Sequence, residues 1–147
     1  MKKVLLITAM LVLLSAWLGA ADYRVWFNRY PGYNDALGDA LCAAVKAELE
    51  SSPKIDVVFD DNPDHVFNFG LWTYNPGTEP AKSCFMYEVF FCVKGLPMLY
   101  VNSYMEATTE DRMEQTAKYL VNKLLEDADN FYTGYPQYKG KGTVSKE

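Results

Sequence analysis

Residues 83–94 read Ser83-Cys84-Phe85-Met86-Tyr87-Glu88-Val89-Phe90-Phe91-Cys92-Val93-Lys94, and the fold turns on this stretch. Phe85, Tyr87, Val89, Phe91 and Val93 alternate with Cys84, Met86, Glu88, Phe90 and Cys92, the two-residue period of a strand whose faces meet different surroundings. On its N-terminal side, across the loop from Asn75-Pro76-Gly77 to Pro80, His65 to Tyr74 repeats the pattern. There Phe67, Phe69 and Leu71 oppose Asn68, Gly70, Trp72 and Tyr74. On its C-terminal side Lys94-Gly95-Leu96-Pro97 makes a tight connection to Met98–Glu106, which reads as a hairpin.

Further out, Lys54 to Phe59 is a short strand with Ile55, Val57 and Phe59 on one side, and Asp60 to Asp64 is a turn built from Asx and Pro residues. Tyr23, Val25 and Phe27 alternate with Arg24, Trp26 and Asn28 in a first strand. Between these two strands, residues 35–51 carry Leu37, Ala40, Leu41, Ala44, Val45 and Leu49 at three- and four-residue steps, with Asn34 as N-cap and Ser51-Ser52-Pro53 as stop. A helix between two strands suggests a right-handed parallel crossover. Thr108 with Asp111 three residues on opens a second helix, reaching about Asn130, with Met113, Ala117, Leu120, Val121, Leu124 and Ala128 as its stripe. Residues 131–147, rich in Tyr, Gly and Lys without period, are expected to form a mobile tail.

The order strand, helix, four strands, helix predicts an α+β fold. It is a two-layer sandwich in which a mixed four- to five-stranded sheet carries both helices on one face. Ile55, Val57, Phe59, Phe67, Phe69, Leu71, Phe85, Val89, Phe91, Leu99 and Val101 are expected to meet the helices. If each strand keeps its register, Arg24, Trp26, Asn28, Asn68, Trp72, Glu88, Phe90, Tyr100, Asn102 and Tyr104 collect on the other face. The candidate binding residues are Trp26, Asn68, Trp72, Phe90, Tyr100, Asn102 and Tyr104, because rings give stiff contact area and amides give hydrogen bonds. A second copy or the Tyr-rich tail could instead close that face.

Lys2 and Lys3, an apolar run from Val4 to Leu14 and the small residues Gly19-Ala20-Ala21 are laid out as a secretory signal peptide over residues 1–21. Residues 22–130 then form one domain, and no later segment is apolar enough to span a membrane. With the two lysines gone, 12 basic residues face 19 acidic ones and the formal charge moves from −5 to −7, which argues against nucleic acid. Half the residues are hydrophobic and 22% are charged, so the chain folds. Cys42, Cys84 and Cys92 specify no disulfide framework. On one continuous strand Cys84 and Cys92 stand about 27 Å apart at ~3.4 Å per residue, too far for a bond.

Catalytic and metal motifs fail on inspection. Asp60, Asn62 and Asp64 begin a calcium loop, but His65 stands where Gly is required and Leu71 where the bidentate Glu belongs. His65 has no marked nucleophile to serve. No catalytic residue, metal or cofactor is expected.

The runs Ala36-Leu37-Gly38-Asp39-Ala40-Leu41, Lys54-Ile55-Asp56-Val57-Val58 and Asp64-His65-Val66-Phe67-Asn68-Phe69-Gly70 together resemble small bacterial envelope domains of the TolB N-terminal and CsgG-like kind. Such domains are mostly non-catalytic adaptors in envelope assemblies, often lipid-anchored; Ala21, where a lipidated Cys would stand, departs from the anchored members. The resemblance implies a non-catalytic envelope adaptor; with the signal-peptide layout and the ringed sheet face, the expected protein is an exported, periplasmic or secreted, non-enzymatic domain that binds protein through that face. The alternative on the same rings is a secreted glycan- or small-ligand-binding module.

Overall fold

β1 (Tyr23–Tyr30) leads through a turn into α1 (Ala36–Ser51) and returns as β2 (Ile55–Val57); β3 (Val66–Tyr74), β4 (Ser83–Cys92), β5 (Leu99–Thr108) and α2 (Met113–Gly134) follow. This is a computed structural model, describing residues 21–59, 64–77 and 81–140. Residues 1–20 of the expected signal peptide, 60–63 of the acidic turn, 78–80 of the loop and 141–147 of the tail lie outside the described residues. The sheet is mixed, in the order β2-β1-β3-β4-β5. β1 runs parallel to β2, as the helical crossover between them demands, and parallel to β3, whereas β3, β4 and β5 are antiparallel neighbours. The chain is thus an α+β sandwich with both helices on one sheet face. No helix among the described residues is long and apolar enough to cross a membrane.

Alternation places the core as expected along β3 and β4: Phe67, Phe69, Leu71, Phe85, Val89 and Phe91 are buried against Leu41, Val45, Leu120 and Leu124. β4 is continuous from Ser83 to Cys92 and all three thiols are free. Burial pushes the Cys42 thiol up to about 11. Tyr87 is fully buried too, and its hydroxyl donates to Asp127 Oδ2 of α2 at 2.8 Å. Burial first, then that carboxylate, raise the phenol well above the ordinary tyrosine range.

Four expectations change. α1 is capped by Asp35, not Asn34. Its Oδ1 accepts the Gly38 N–H at 2.9 Å and its Oδ2 accepts the Ser83 hydroxyl at 2.7 Å, tying helix to sheet. Gly38 lies so close to this cap that a Cβ there would stand 2.1 Å from Thr73 Oγ1. The buried side of α1 is accordingly Gly38, Leu41, Cys42, Val45 and Leu49. β2 stops at Val57, so the alternation never reaches Phe59, whose ring is 77% exposed rather than in the core. α2 is preceded by a 3₁₀ turn at Glu110–Arg112, and the Thr108 hydroxyl meets Thr116 at 2.8 Å instead of closing a capping box with Asp111. α2 also continues to Gly134, burying Phe131 and Tyr132, and a 3₁₀ turn at Pro136–Tyr138 sets the Tyr138 ring 5.5 Å from Phe91. Phe131, Tyr132 and Tyr138 therefore pack on the helix side of the sheet, so the first part of the expected tail is anchored there.

Candidate interaction surface

The sheet face turned away from the helices is organised by strand register into cross-strand rows. Trp26, Asn68, Phe90 and Tyr100 lie side by side across β1, β3, β4 and β5. Asn28, Gly70, Glu88 and Ser103 form the next row, and Tyr30, Trp72, Met86 and Met105 the third. Five of the seven residues expected to bind, Trp26, Asn68, Trp72, Phe90 and Tyr100, are thus brought together.

Asn102 and Tyr104 are not among them. The β4–β5 register slips between Val89 and Phe90, so that Val89 faces Asn102 while Phe90 faces Tyr100 and Val101 is left over as a bulge. One extra residue reverses parity, and from there on the even positions look at the helices. Chemistry on the helix side favours the slip: Asn102 Nδ2 donates to both carboxylate oxygens of Asp127 at 3.1 Å, and the Tyr104 ring stacks on Tyr87 at 4.9 Å. Lys123 Nζ reaches the same carboxylate at 3.0 Å, so Asp127 is buried with its charge met. Met105 takes the vacated outward place and is 78% exposed.

Within the rows, contacts fix the rings. Gly70 has no side chain, and the Trp72 indole lies over it, Nε1 being 3.6 Å from where a Cβ would stand. From there Nε1–H donates to Glu88 Oε2 at 3.1 Å. Tyr30 stacks on the indole, centroids 3.9 Å apart and planes 12° from parallel. Phe90 and Tyr100 meet edge to face at 5.9 Å, and the Tyr100 hydroxyl pairs with Ser103 Oγ at 3.0 Å. Between the ring groups, Asn28 Nδ2 donates to Asn68 Oδ1 at 2.7 Å, and Asn68 Nδ2 approaches Met98 Sδ at 3.9 Å. The polar tips are therefore engaged within the face, while Tyr30, Trp72, Tyr100 and Met105 keep about two-fifths or more of their surface open. At the β2 end, Arg24 Nη1 donates to the Asp64 carbonyl at 3.0 Å.

Sequence reasoning missed Tyr30 and Met105. One further step of the Trp26–Asn28 alternation would have found Tyr30; Met105 had no local signal, because the bulge that exposes it depends on Asp127 across the fold. His65 stands at φ 52, just before β3, with Nδ1 2.9 Å from Asp64 Oδ1. The same carboxylate accepts the Lys94 N–H at 2.9 Å; chiefly this bond, with His65, holds it below the usual carboxylate range. His65 and Asp64 thus close a loop-to-hairpin contact. No protein-family model matches the chain, and no curated protein matches it either.

Proposed function

We propose that this chain is an exported, non-catalytic domain of a bacterial envelope or secreted assembly that binds a protein partner through the open sheet face. The observation that carries the reading is the exposure of Tyr30, Trp72 and Met105 in one cross-strand row and of Tyr100 in another, on a face that carries neither helix. Large apolar side chains left exposed together on one open face mark candidate interaction sites. Rings beside methionines favour protein over sugar, since aromatics and Met are the side chains enriched where proteins meet. The buried carboxylates among the described residues, Asp35 and Asp127, are each committed to hydrogen bonds that join helix to sheet. The resemblance to TolB N-terminal and CsgG-like domains supports an adaptor role in the envelope, and the Lys2-Lys3 and apolar N-terminal run supports export.

The test is a pull-down from native envelope with wild type and with the Trp72→Ala/Tyr100→Ala double variant. A partner held by wild type and lost by a variant that remains folded is the expected result. If the variant retains every protein the wild type captures, the reading fails. Quenching of Trp72 fluorescence by cell-wall glycans, without any protein, would point to the sugar-binding alternative.

A further inference from the structure

The two edges of the sheet are built differently. β2 offers only Ile55–Val57, whereas β5 offers Leu99–Thr108. Long edges are normally blunted with Lys, Pro or bulges to stop them pairing with other chains. β5 has no Lys, Arg or Pro, a single charged residue in Glu106, and a bulge at Val101 that interrupts only its beginning. From Asn102 to Thr108 its register with β4 is unbroken.

The Ser103 N–H is taken by Asn102 Oδ1 at 2.9 Å rather than by β4, which sets the phase of the ladder. Outward-pointing backbone groups alternate along an antiparallel edge, so Met105 and Ala107 also direct their N–H and C=O away from β4. Among the described residues no turn, loop or cap bond takes either amide.

We propose that two copies of this chain associate edge to edge through β5, antiparallel and centred on Met105, to form one continuous sheet. The occupant follows from the segment itself. A regular run from 102 to 108 matches its own copy residue for residue only about residue 105. In that register Met105 faces Met105, Ala107 faces Ser103, and Glu106 faces Tyr104, so no like charges meet across the two-fold axis. Each Met105 N–H donates to the other copy's Met105 carbonyl, and each Ala107 N–H to the Ser103 carbonyl. The exposed Met105 side chains cover one another, and the two open faces lie on the same side of the joined sheet. The proposal stands independently of the binding role given to Trp72 and Tyr100.

Sedimentation of the full chain over a wide concentration range tests it, alongside Met105→Pro. Proline deletes the outward N–H without touching the β4 ladder and is tolerated at such edge positions. Wild type is expected to dimerise reversibly and Met105→Pro to remain a monomer. Hydrogen exchange on wild type gives a measure that does not depend on the variant folding: Met105 and Ala107 amides slow with rising concentration. A wild type that stays monomeric throughout, a dimer that survives Met105→Pro, or edge amides whose exchange ignores concentration overturns the proposal. Loss of the dimer in Trp72→Ala also overturns it, by showing that the copies meet through their open faces.

Discussion

The two faces of the sheet are both rich in rings and use them in opposite ways. On the helix side Phe67 is touched by Tyr23, Phe91, Phe131 and Tyr132 and has no exposed surface. On the open side Trp72 has one stacked partner, Tyr30, and remains 42% exposed. Both follow from the same alternation; what separates them is whether a helix supplies a second layer. The lesson is that ring content alone does not locate a core, and each ring's other neighbours decide whether it stabilises the fold or stays free to meet a partner. Phe67→Ala leaves a cavity among Tyr23, Phe91, Phe131 and Tyr132 and is expected to cost about 3–5 kcal/mol in urea unfolding. A cost under 1 kcal/mol would erase the distinction between the faces.

The next largest effect concerns how tightly helix and sheet are joined. Gly38→Ala drives a methyl group into Thr73 and into the Asp35 carboxylate that caps α1 and holds Ser83. Overpacking combined with a disturbed cap is expected to cost about 2–3 kcal/mol, with α1 amides exchanging faster. An unchanged melting curve would mean that α1 can shift away from β3 freely, so that the sealed face is less firmly sealed than its burial implies.

Tyr87→Phe sharpens the comparison further, because it keeps the ring and removes only the hydroxyl that reaches Asp127. A hydrogen bond to a charged acceptor is worth about 1.5–3 kcal/mol; here Asn102 and Lys123 still satisfy the carboxylate, so a loss near the lower end is expected. The pH dependence has a definite sign. The folded state holds the Tyr87 proton more tightly than the unfolded chain does, and burial raises Tyr23 and Tyr104 likewise. This contribution is complete below the ordinary tyrosine value of about 10 and is lost as pH rises beyond it. Wild-type stability therefore falls on the alkaline side, and Tyr87→Phe falls less steeply; parallel profiles would show that Tyr87 is not among the groups responsible.

How far the residues announced this arrangement varied along the chain. β3 and β4 were legible because their alternation is long and both strands are flanked by neighbours, so register is pinned by burial on one face. β5 was legible as a strand but not in its second half, since an edge strand can absorb a bulge and the cause of that bulge lies in Asp127, which is 25 residues away from Asn102. Simple alternation therefore puts Asn102 and Tyr104 on the open face, whereas the bulge turns them toward the helices. Phe59 misled for a related reason: a three-residue strand cannot be told from a longer one by three alternating positions. Phe131 and Tyr132 belong to the heptad-like continuation of α2's apolar side, a signal masked by the Gly and Tyr that follow.

The smallest expected change in stability falls on the open face and bears most directly on function. In Trp72→Ala/Tyr100→Ala the lost contacts are one stack with Tyr30, one indole bond to Glu88, one edge-to-face contact with Phe90 and one hydroxyl pair with Ser103. All of these lie at positions that water already reaches, so Glu88 and Ser103 are resolvated when their partners go and no buried group is orphaned. A combined cost of about 1–2 kcal/mol in thermal or urea unfolding is expected, well below that of Phe67→Ala alone. Such a small cost, with partner binding gone, is what a face reserved for docking predicts. Unfolding comparable to Phe67→Ala would instead mean that Trp72 and Tyr100 hold the sheet together, and the two faces would then differ in degree rather than in purpose.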